Sequence, residues 1–334
     1  MALPTITRGD KGTAAVISNA TDVAGFINIT PTGTTVLQSV LATLTYGRSY
    51  ATAPIVVFSQ DRAQNPNQNI KAFISGTTTG FSLCVSEITS VYLNGFITFA
   101  YHVIETQSSN ASSPFSITTG GAATSSSITN GTDVAGNFSI TPRIIFIGGN
   151  DAATITFGRA YAVKPIVIVS PSNVNSAIDN LNYFVSSTTT GFTLSLNNIP
   201  TSTNPQSFTY HIIETQSSNA SAPFLASNNN YIGSITSAVT TSNGTDVAGT
   251  LNCLIKGAQF SPNGIQLAFG KNYTNAYVPV ICAANRNACK SMINGLVPYT
   301  DTSNPPKLDL QFIQVSADTS ALSVSYNYHI FETQ

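Results

Sequence analysis

The chain has 334 residues, and only 8% of them are charged, against about 25% in an average globular protein. The formal net charge of -1 excludes the basic surface that nucleic acid or an anionic membrane attracts. No segment approaches the roughly 20 apolar residues of a membrane-spanning helix. We therefore expect neither nucleic-acid binding nor membrane insertion, and the low charge with abundant Thr, Ser and Asn favours strands and turns.

Three copies of one pattern follow each other along the chain. Each copy opens on Thr-Asp-Val-Ala-Gly, continues through a Gly and a basic residue between two aromatics, and closes on Tyr-His-x-x-Glu-Thr-Gln. The opening motif lies at 21–25, 132–136 and 245–249, and the closing motif at 101–107, 210–216 and 328–334. The domains predicted from this period are repeat one (1–107), repeat two (108–216) and repeat three (217–334).

Within a repeat, apolar residues alternate with polar ones, which is the strand pattern. Ile27 and Ile29 form one such series, a second spans 81–85, and a third spans 99–103. An apolar run after a Pro, as in 54–57, indicates a strand covered on both faces. About six strands in each repeat predict an all-β fold of three tandem antiparallel β-sandwiches, either immunoglobulin-like or jelly-roll-like.

The repeat alignment also predicts which core positions are equivalent. Ile27, Phe138 and Leu251 are expected to share one position, and Ile29, Ile140 and Cys253 the next. Matching each Pro and its apolar run places Cys282 with Val57 and Ile168. Both cysteines are therefore expected to be small buried hydrophobic side chains, while a bond between Cys282 and Cys289 stays open.

All three histidines of the chain stand in the closing motif, each three residues before a glutamate. The recurrent pairs are His102 with Glu105, His211 with Glu214, and His329 with Glu332. Residues three apart on a strand point to opposite faces, so none of the three pairs makes a local metal or acid–base site. With Tyr101 and Val103 inward, His102 faces outward. We predict a structural or surface role and no metal; a composite site formed across domains or subunits is the alternative.

Groups for catalysis are scarce. Glu87 is the only glutamate outside the closing motif, so the paired carboxylates of a glycoside hydrolase are poorly supplied. No nucleophile–base set, phosphate-binding loop or dinucleotide glycine pattern occurs. The aspartates of the opening motif, Asp22, Asp133 and Asp246, suit turn formation. The expectation is a non-enzymatic protein with no catalytic residue and no cofactor.

Repeat three departs from the other two in segments that we interpret as loops. It lacks the Thr-Thr-Thr-Gly-Phe motif of 77–81 and 188–192, is interpreted as inserting 285–290 and carries a Pro-rich stretch at 299–306. Variable loops on a rigid β scaffold often bind partners. The predicted contact surface consists of Asn285, Arg286, Asn287, Lys290, Tyr299 and Asp301.

The opening Gly-Thr-Asp-Val-Ala-Gly, the middle Thr-Thr-Thr-Gly-Phe and the closing Tyr-His-Val-Ile-Glu resemble repeat domains of bacteriophage virion proteins. The resemblance covers essentially the whole chain. It implies a structural protein of the particle: a tail or head fibre, a spike or a capsid decoration. The implied partners are other virion proteins, with host attachment through a surface glycan or protein.

The location of the protein is predicted from the same resemblance and from the N-terminal residues. The residues from Met1 to Arg8 show neither a signal-peptide core nor a lipidation motif, which favours a virion protein assembled in the host cytoplasm. A secreted or cell-surface adhesin with tandem sandwich modules, and hence an extracellular location, is the alternative. Unpaired strand edges and a net charge near zero favour a homo-oligomer or a lattice.

Overall fold

The computed structural model describes most of the chain. The described residues are 3–18, 20–32, 39–63, 70–87, 96–105, 115–145, 150–178, 183–200, 202–214, 225–228, 240–242, 247–255, 263–268, 277–288, 296–301, 307–312 and 322–332.

Strands dominate each repeat. Repeat one contains β1 (Thr5–Arg8), β2 (Gly12–Ser18), β3 (Ala24–Pro31), β4 (Ser39–Thr45), β5 (Ile55–Ala63), β6 (Lys71–Gly76), β7 (Gly80–Glu87) and β8 (Ile97–Ile104). Repeat two contains β9 (Ser116–Thr119), β10 (Ala123–Thr129), β11 (Ala135–Pro142), β12 (Asp151–Thr156), β13 (Ile166–Pro171), α1 (Val174–Ile178), β14 (Tyr183–Ser187), β15 (Gly191–Leu196) and β16 (Gln206–Ile213). Repeat three contains β17 (Leu225–Asn228), β18 (Thr240–Ser242), β19 (Ala248–Ile255), β20 (Asn263–Ala268), β21 (Tyr277–Ala283), β22 (Leu296–Asp301), β23 (Lys307–Phe312) and β24 (Leu322–Glu332).

Each repeat forms two four-stranded antiparallel sheets. The axis sheets have the orders β2-β3-β8-β5, β10-β11-β16-β13 and β18-β19-β24-β21. The outer sheets have the orders β1-β4-β7-β6, β9-β12-β15-β14 and β17-β20-β23-β22. The predicted all-β class with antiparallel sandwiches is confirmed. In repeat one, β3 pairs with β8 in one layer and β4 pairs with β7 in the other, so the chain crosses between the two layers after β3 and again before β8.

The side chains between the two sheets of a repeat form its core. Ile27, Phe138 and Leu251 each lie three residues after an alanine that pairs with the histidine of the closing strand. All three are at most 1% exposed, as expected for equivalent core positions. Ile29, Ile140 and Cys253 follow two residues later and are also buried. The alternation therefore predicted the strand register correctly, where a slip of one residue would have turned every side chain over.

The axis sheets are buried on their second face as well. Ala24, Ala100, Val57, Ala135, Ile166, Ile168, Ala248, Val278, Val280 and Cys282 belong to one apolar cluster that spans all three repeats. Around this shared centre, each repeat packs against the outer sheet of another repeat. Helix α1 of repeat two packs on the outer sheet of repeat one, where Ala177 contacts Phe73 and Cys84. Strand β21 packs on β14, and β5 packs on β22. One chain thus closes a three-fold ring that separate subunits form in a cyclic trimer.

Buried hydrogen bonds join the repeats in the same cyclic sense. Ser170 Oγ accepts from the Phe58 amide and donates to the Phe58 carbonyl, both at 3.0 Å. Thr209 Oγ1 donates to the Val56 carbonyl at 2.8 Å. Asn327 Nδ2 donates to the Val167 carbonyl at 3.0 Å. Because such groups are costly to leave unpaired in an apolar interior, these bonds fix how the three sandwiches fit together.

The position assigned to Cys282 was wrong by two residues. His102 pairs with Val57, His211 with Ile168 and His329 with Val280, so Cys282 takes the position of Ser59 and Ser170. The alignment used the Pro before each apolar run as its anchor, but Pro279 lies inside β21. That strand is an edge of its axis sheet, where Pro is tolerated.

Candidate functional site: the histidine cluster between the repeats

The three histidines occupy equivalent positions in the closing strands β8, β16 and β24. Each ring stands between an alanine on one neighbouring strand and a branched apolar residue on the other. His102 faces away from the core of its own sandwich, as predicted. It is nevertheless buried, because the other two repeats cover that face: His102 and His211 are 8% exposed and His329 is 6% exposed.

The cyclic packing brings these rings together at the centre of the molecule. The ring centroids of His102 and His211 lie 5.1 Å apart, those of His211 and His329 lie 5.2 Å apart, and those of His102 and His329 lie 5.8 Å apart. One ring nitrogen from each histidine lies within 4.8 Å of those of the other two. The arrangement is a composite histidine site formed across domains.

Burial determines the charge of the cluster. Desolvation lowers the pKa of all three imidazoles, that of His211 to about 3, and the neighbouring histidines lower the pKa of His102 and His329 further. The rings are therefore neutral at pH 7. Nδ1 of each ring is buried without a hydrogen-bond partner, which leaves one nitrogen per ring unused by the protein.

An apolar shell surrounds the rings. Phe331 stacks on His102 with 3.5 Å between centroids and lies edge-on to His329 at 3.7 Å. Its equivalents in repeats one and two are Ile104 and Ile213, which belong to the same apolar cluster. Among the described residues, the charge interactions that affect the pKa of His102 and His329 come from the other histidines, and the Cys282 thiol in the same apolar cluster has a raised pKa.

The glutamates of the closing motif have a different task. Glu105 accepts a hydrogen bond from Arg48 at 2.9 Å, and Glu214 accepts one from Arg159 at 3.0 Å. Each guanidinium also lies over a tyrosine ring, Arg48 over Tyr50 at 4.5 Å and Arg159 over Tyr161 at 4.8 Å. These exposed pairs connect the end of the closing strand to the Gly-Arg loop. The side chain of Glu332 lies outside the described residues.

The aspartates of the opening motif accept hydrogen bonds from the backbone of the Gly-Arg loop. Asp22 Oδ1 accepts from the Gly47 amide at 2.7 Å, and Asp133 Oδ1 accepts from the Gly158 amide at 2.8 Å. The local turn is held instead by the preceding threonine, whose hydroxyl in Thr21 accepts from the Ala24 amide. The prediction that the aspartates form the turn was therefore wrong for Asp22 and Asp133, and Asp246 lies outside the described residues.

Residues 285–288 of the predicted contact surface are not an insertion. Asn285 Oδ1 accepts from the Ala288 amide, just as Asn173 Oδ1 accepts from the Ser176 amide at the start of α1. Arg286 Nε donates to Asn197 Oδ1 in repeat two at 2.6 Å. Asn287 Nδ2 donates to the Ser323 carbonyl. The segment is the equivalent of α1, and its polar side chains hold repeat three in place.

The other half of that predicted surface lies in or near an outer strand. Tyr299 and Asp301 belong to β22, which was expected to be a loop. Tyr299 stands at the register position that repeats one and two fill with the exposed serines Ser75 and Ser186. Lys290 lies outside the described residues. A contact role for these residues stays a prediction.

The cysteines give a test of the packing. Cys84, Cys253 and Cys282 are free and buried, and burial raises the pKa of their thiols to about 11, 12 and 12. The Cys282 thiol donates to the Val167 carbonyl across a repeat boundary. In a Cys289→Ser variant, we expect no cysteine to react with an aromatic disulfide reagent at pH 8 while the protein is folded. In denaturant, three cysteines should react, each releasing one aromatic thiolate from the reagent. Rapid reaction of one thiol in the folded protein would show that its cover opens.

Comparisons with known proteins give no relative from which a role for the histidine cluster could be inferred. No family model, curated protein or solved structure matches the chain. In the part of the chain that the structure describes, no helix has the length and apolar character needed to cross a membrane.

Proposed function

We propose that the chain is a non-enzymatic structural protein of a virus particle: a fibre, a spike or a capsid decoration. The observation that carries the proposal is the cyclic packing of three equivalent sandwiches around a buried apolar centre. Such a body presents three similar outer faces while its repeats hold each other in place, which suits a rigid projection. The motifs that resemble phage virion repeats support the same class.

The ionisable groups support a role without catalysis. Among the described residues, the histidines lie neutral in an apolar layer, and Asp22, Asp133, Glu105 and Glu214 are engaged in holding loops. A general acid or base has to reach a substrate proton, directly or through one water. None of these carboxylates lies beside a histidine in the arrangement that acid–base or nucleophilic catalysis uses.

The cysteines favour a particle protein over a secreted adhesin. Three buried free thiols fit folding in a reducing cytoplasm, whereas small secreted domains commonly pair their cysteines. Association with other virion proteins, or of copies into a lattice, is part of the proposal. Strands β2 and β10 are edges of their axis sheets, and all but the first residue of each are exposed or half-buried, so they are available for pairing.

The proposal is tested by locating the protein. Gold-labelled antibodies against the full chain should decorate purified particles at regular positions in electron micrographs, and its copy number per particle should be constant in quantitative mass spectrometry. Label found on the host cell surface without particles would favour the adhesin alternative. Absence from both particles and cell surface would contradict the structural role.

Attachment to a host glycan or protein is the finer part of the proposal. Tyr299 replaces the small exposed serines of the other repeats, which supports repeat three as the binding repeat. Excess purified protein should reduce adsorption of particles to host cells, and Tyr299→Ser should weaken that competition at least tenfold. Ser186→Ala, at the equivalent position of repeat two, is the matched control and should compete like the unchanged protein. Equal competition by all three proteins would remove Tyr299 from the contact.

A further inference from the structure

The spacing of the three histidine rings is compatible with a shared metal ion. In a tetrahedral site, a metal about 2.0–2.1 Å from each imidazole nitrogen lies about 3.1 Å from each ring centroid, so that two such rings are spaced about 5 Å apart. The observed separations are 5.1, 5.2 and 5.8 Å. Packed ring pairs in general also lie about 4.5–7 Å apart, so the spacing permits a shared ion, and the buried, unpartnered ring nitrogens are the feature that favours one.

We propose that His102, His211 and His329 together bind one divalent transition-metal ion at the junction of the three repeats. One repeat contributes each ligand, so the site exists only when all three sandwiches are assembled. The inference stands apart from the location of the protein on a particle.

The donor atoms are available for such an ion. One nitrogen from each ring already lies within 4.8 Å of the others, and tetrahedral ligands at Zn–N distances stand about 3.3 Å apart. Binding therefore requires the rings to rotate until these nitrogens lie about 3.3 Å apart. Each Nδ1 is buried and has no hydrogen-bond partner, so each ring retains a nitrogen that no protein group uses. Binding to neutral imidazoles also needs no proton to be released at pH 7.

The ligand set indicates the class of metal. Imidazole nitrogens suit zinc, nickel, cobalt, copper and iron, whereas calcium and magnesium prefer oxygen ligands. No carboxylate of the described residues belongs to the cluster. Three protein ligands leave a fourth position for water or a small anion, and the rings keep 6–8% of their surface exposed.

An ion held in this way would act as a clamp. It binds the assembled centre and has no equivalent site in the unfolded chain, so it stabilises the assembled form by mass action. The alanines beside the rings, Ala24, Ala135 and Ala248, supply no side-chain ligand atom of their own.

The test uses the full chain without any affinity tag, stripped with a chelator and dialysed. Titration with Co²⁺ should give the visible absorption of a four-coordinate ion and saturate at one ion per chain. Zn²⁺ should displace it and raise the melting temperature by at least 5 °C. Substituting one ligand, as in His211→Asn, should lower the affinity for Zn²⁺ at least a hundredfold. Glu105→Gln is the matched control and should leave binding unchanged.

Three results would overturn the proposal. The first is no Co²⁺ spectrum with the folded, unchanged protein. The second is saturation at one ion with a variant in which all three histidines are asparagine. The third follows if the substituted chains do not fold: then the histidine ring protons of the unchanged protein, followed by magnetic resonance, should all shift or broaden on adding Co²⁺, and unshifted rings would exclude them as ligands.

Discussion

Acidification from pH 7 to pH 5 is expected to destabilise the metal-free protein severely. The unfolded histidines take up protons near pH 6.5, whereas burial lowers the folded pKa of all three, that of His211 to about 3. Below pH 6.5 the unfolded chain therefore binds more protons than the folded one, and stability falls as pH falls. His211 alone contributes a loss of about 2 kcal/mol by pH 5, and His102 and His329, whose pKa is also lowered, add losses of the same sign.

Urea unfolding in the presence of a chelator measures this loss as a falling midpoint at pH 7, 6 and 5. Apart from the other two histidines, the groups packed around each ring are apolar, and the thiol of Cys282 in the same cluster, with a pKa raised to about 12, stays neutral throughout. A variant with all three histidines replaced by glutamine should show a nearly flat midpoint over the same range. A flat midpoint in the unchanged protein would show that the rings accept protons without leaving the centre.

Enlarging the alanine layer at the centre is expected to force the repeats apart. Ala135 pairs with His211, faces away from the core of its own sandwich and is 0% exposed. Ala135→Leu adds three carbons where the other repeats leave no space, and such overpacking costs about 1–3 kcal/mol. If the three repeats did not pack against one another, Ala135 would lie on the surface, and the same substitution would lower the free energy of unfolding by less than about 0.5 kcal/mol.

Chemical denaturation of Ala135→Leu and of the matched control Ser127→Leu separates the two arrangements. Ser127 lies on the adjacent strand β10 and is exposed, so its substitution should leave the unfolding midpoint unchanged. Adding Ala24→Leu and Ala248→Leu should worsen the effect until the three sandwiches no longer assemble. Equal midpoints for the two single variants would contradict the cyclic packing.

Two sequence-based errors came from aligning motifs without strand pairing. Pro279 looked like the start of the apolar run, but an edge strand admits a proline within it, so Cys282 was placed two residues away from its true equivalents. The segment from Asn285 was interpreted as an insertion because the equivalent turn of repeat two, which begins at Asn173, has a different sequence. Both turns begin with an asparagine whose side chain caps the helix, and that shared chemistry was the available signal.

The strands of one repeat could be derived from the chain alone because their alternation is a local property. A buried face demands an apolar residue at every second position, so the period of two identified the inward side chains, Ile27 and Ile29 among them. The internal period of the motifs likewise indicated three equivalent sandwiches.

The environment of the second face could not be derived in this way, because it depends on contacts between residues more than 100 positions apart. His102 points away from its own core whether that face meets water or two other repeats. The apolar run 54–57 and the uncharged residues Ala24 and Ala100 were local signs that this face is covered, but they did not show that the other repeats cover it. Only tertiary packing, in which each repeat buries the axis sheet of the others, converts three outward histidines into one buried cluster.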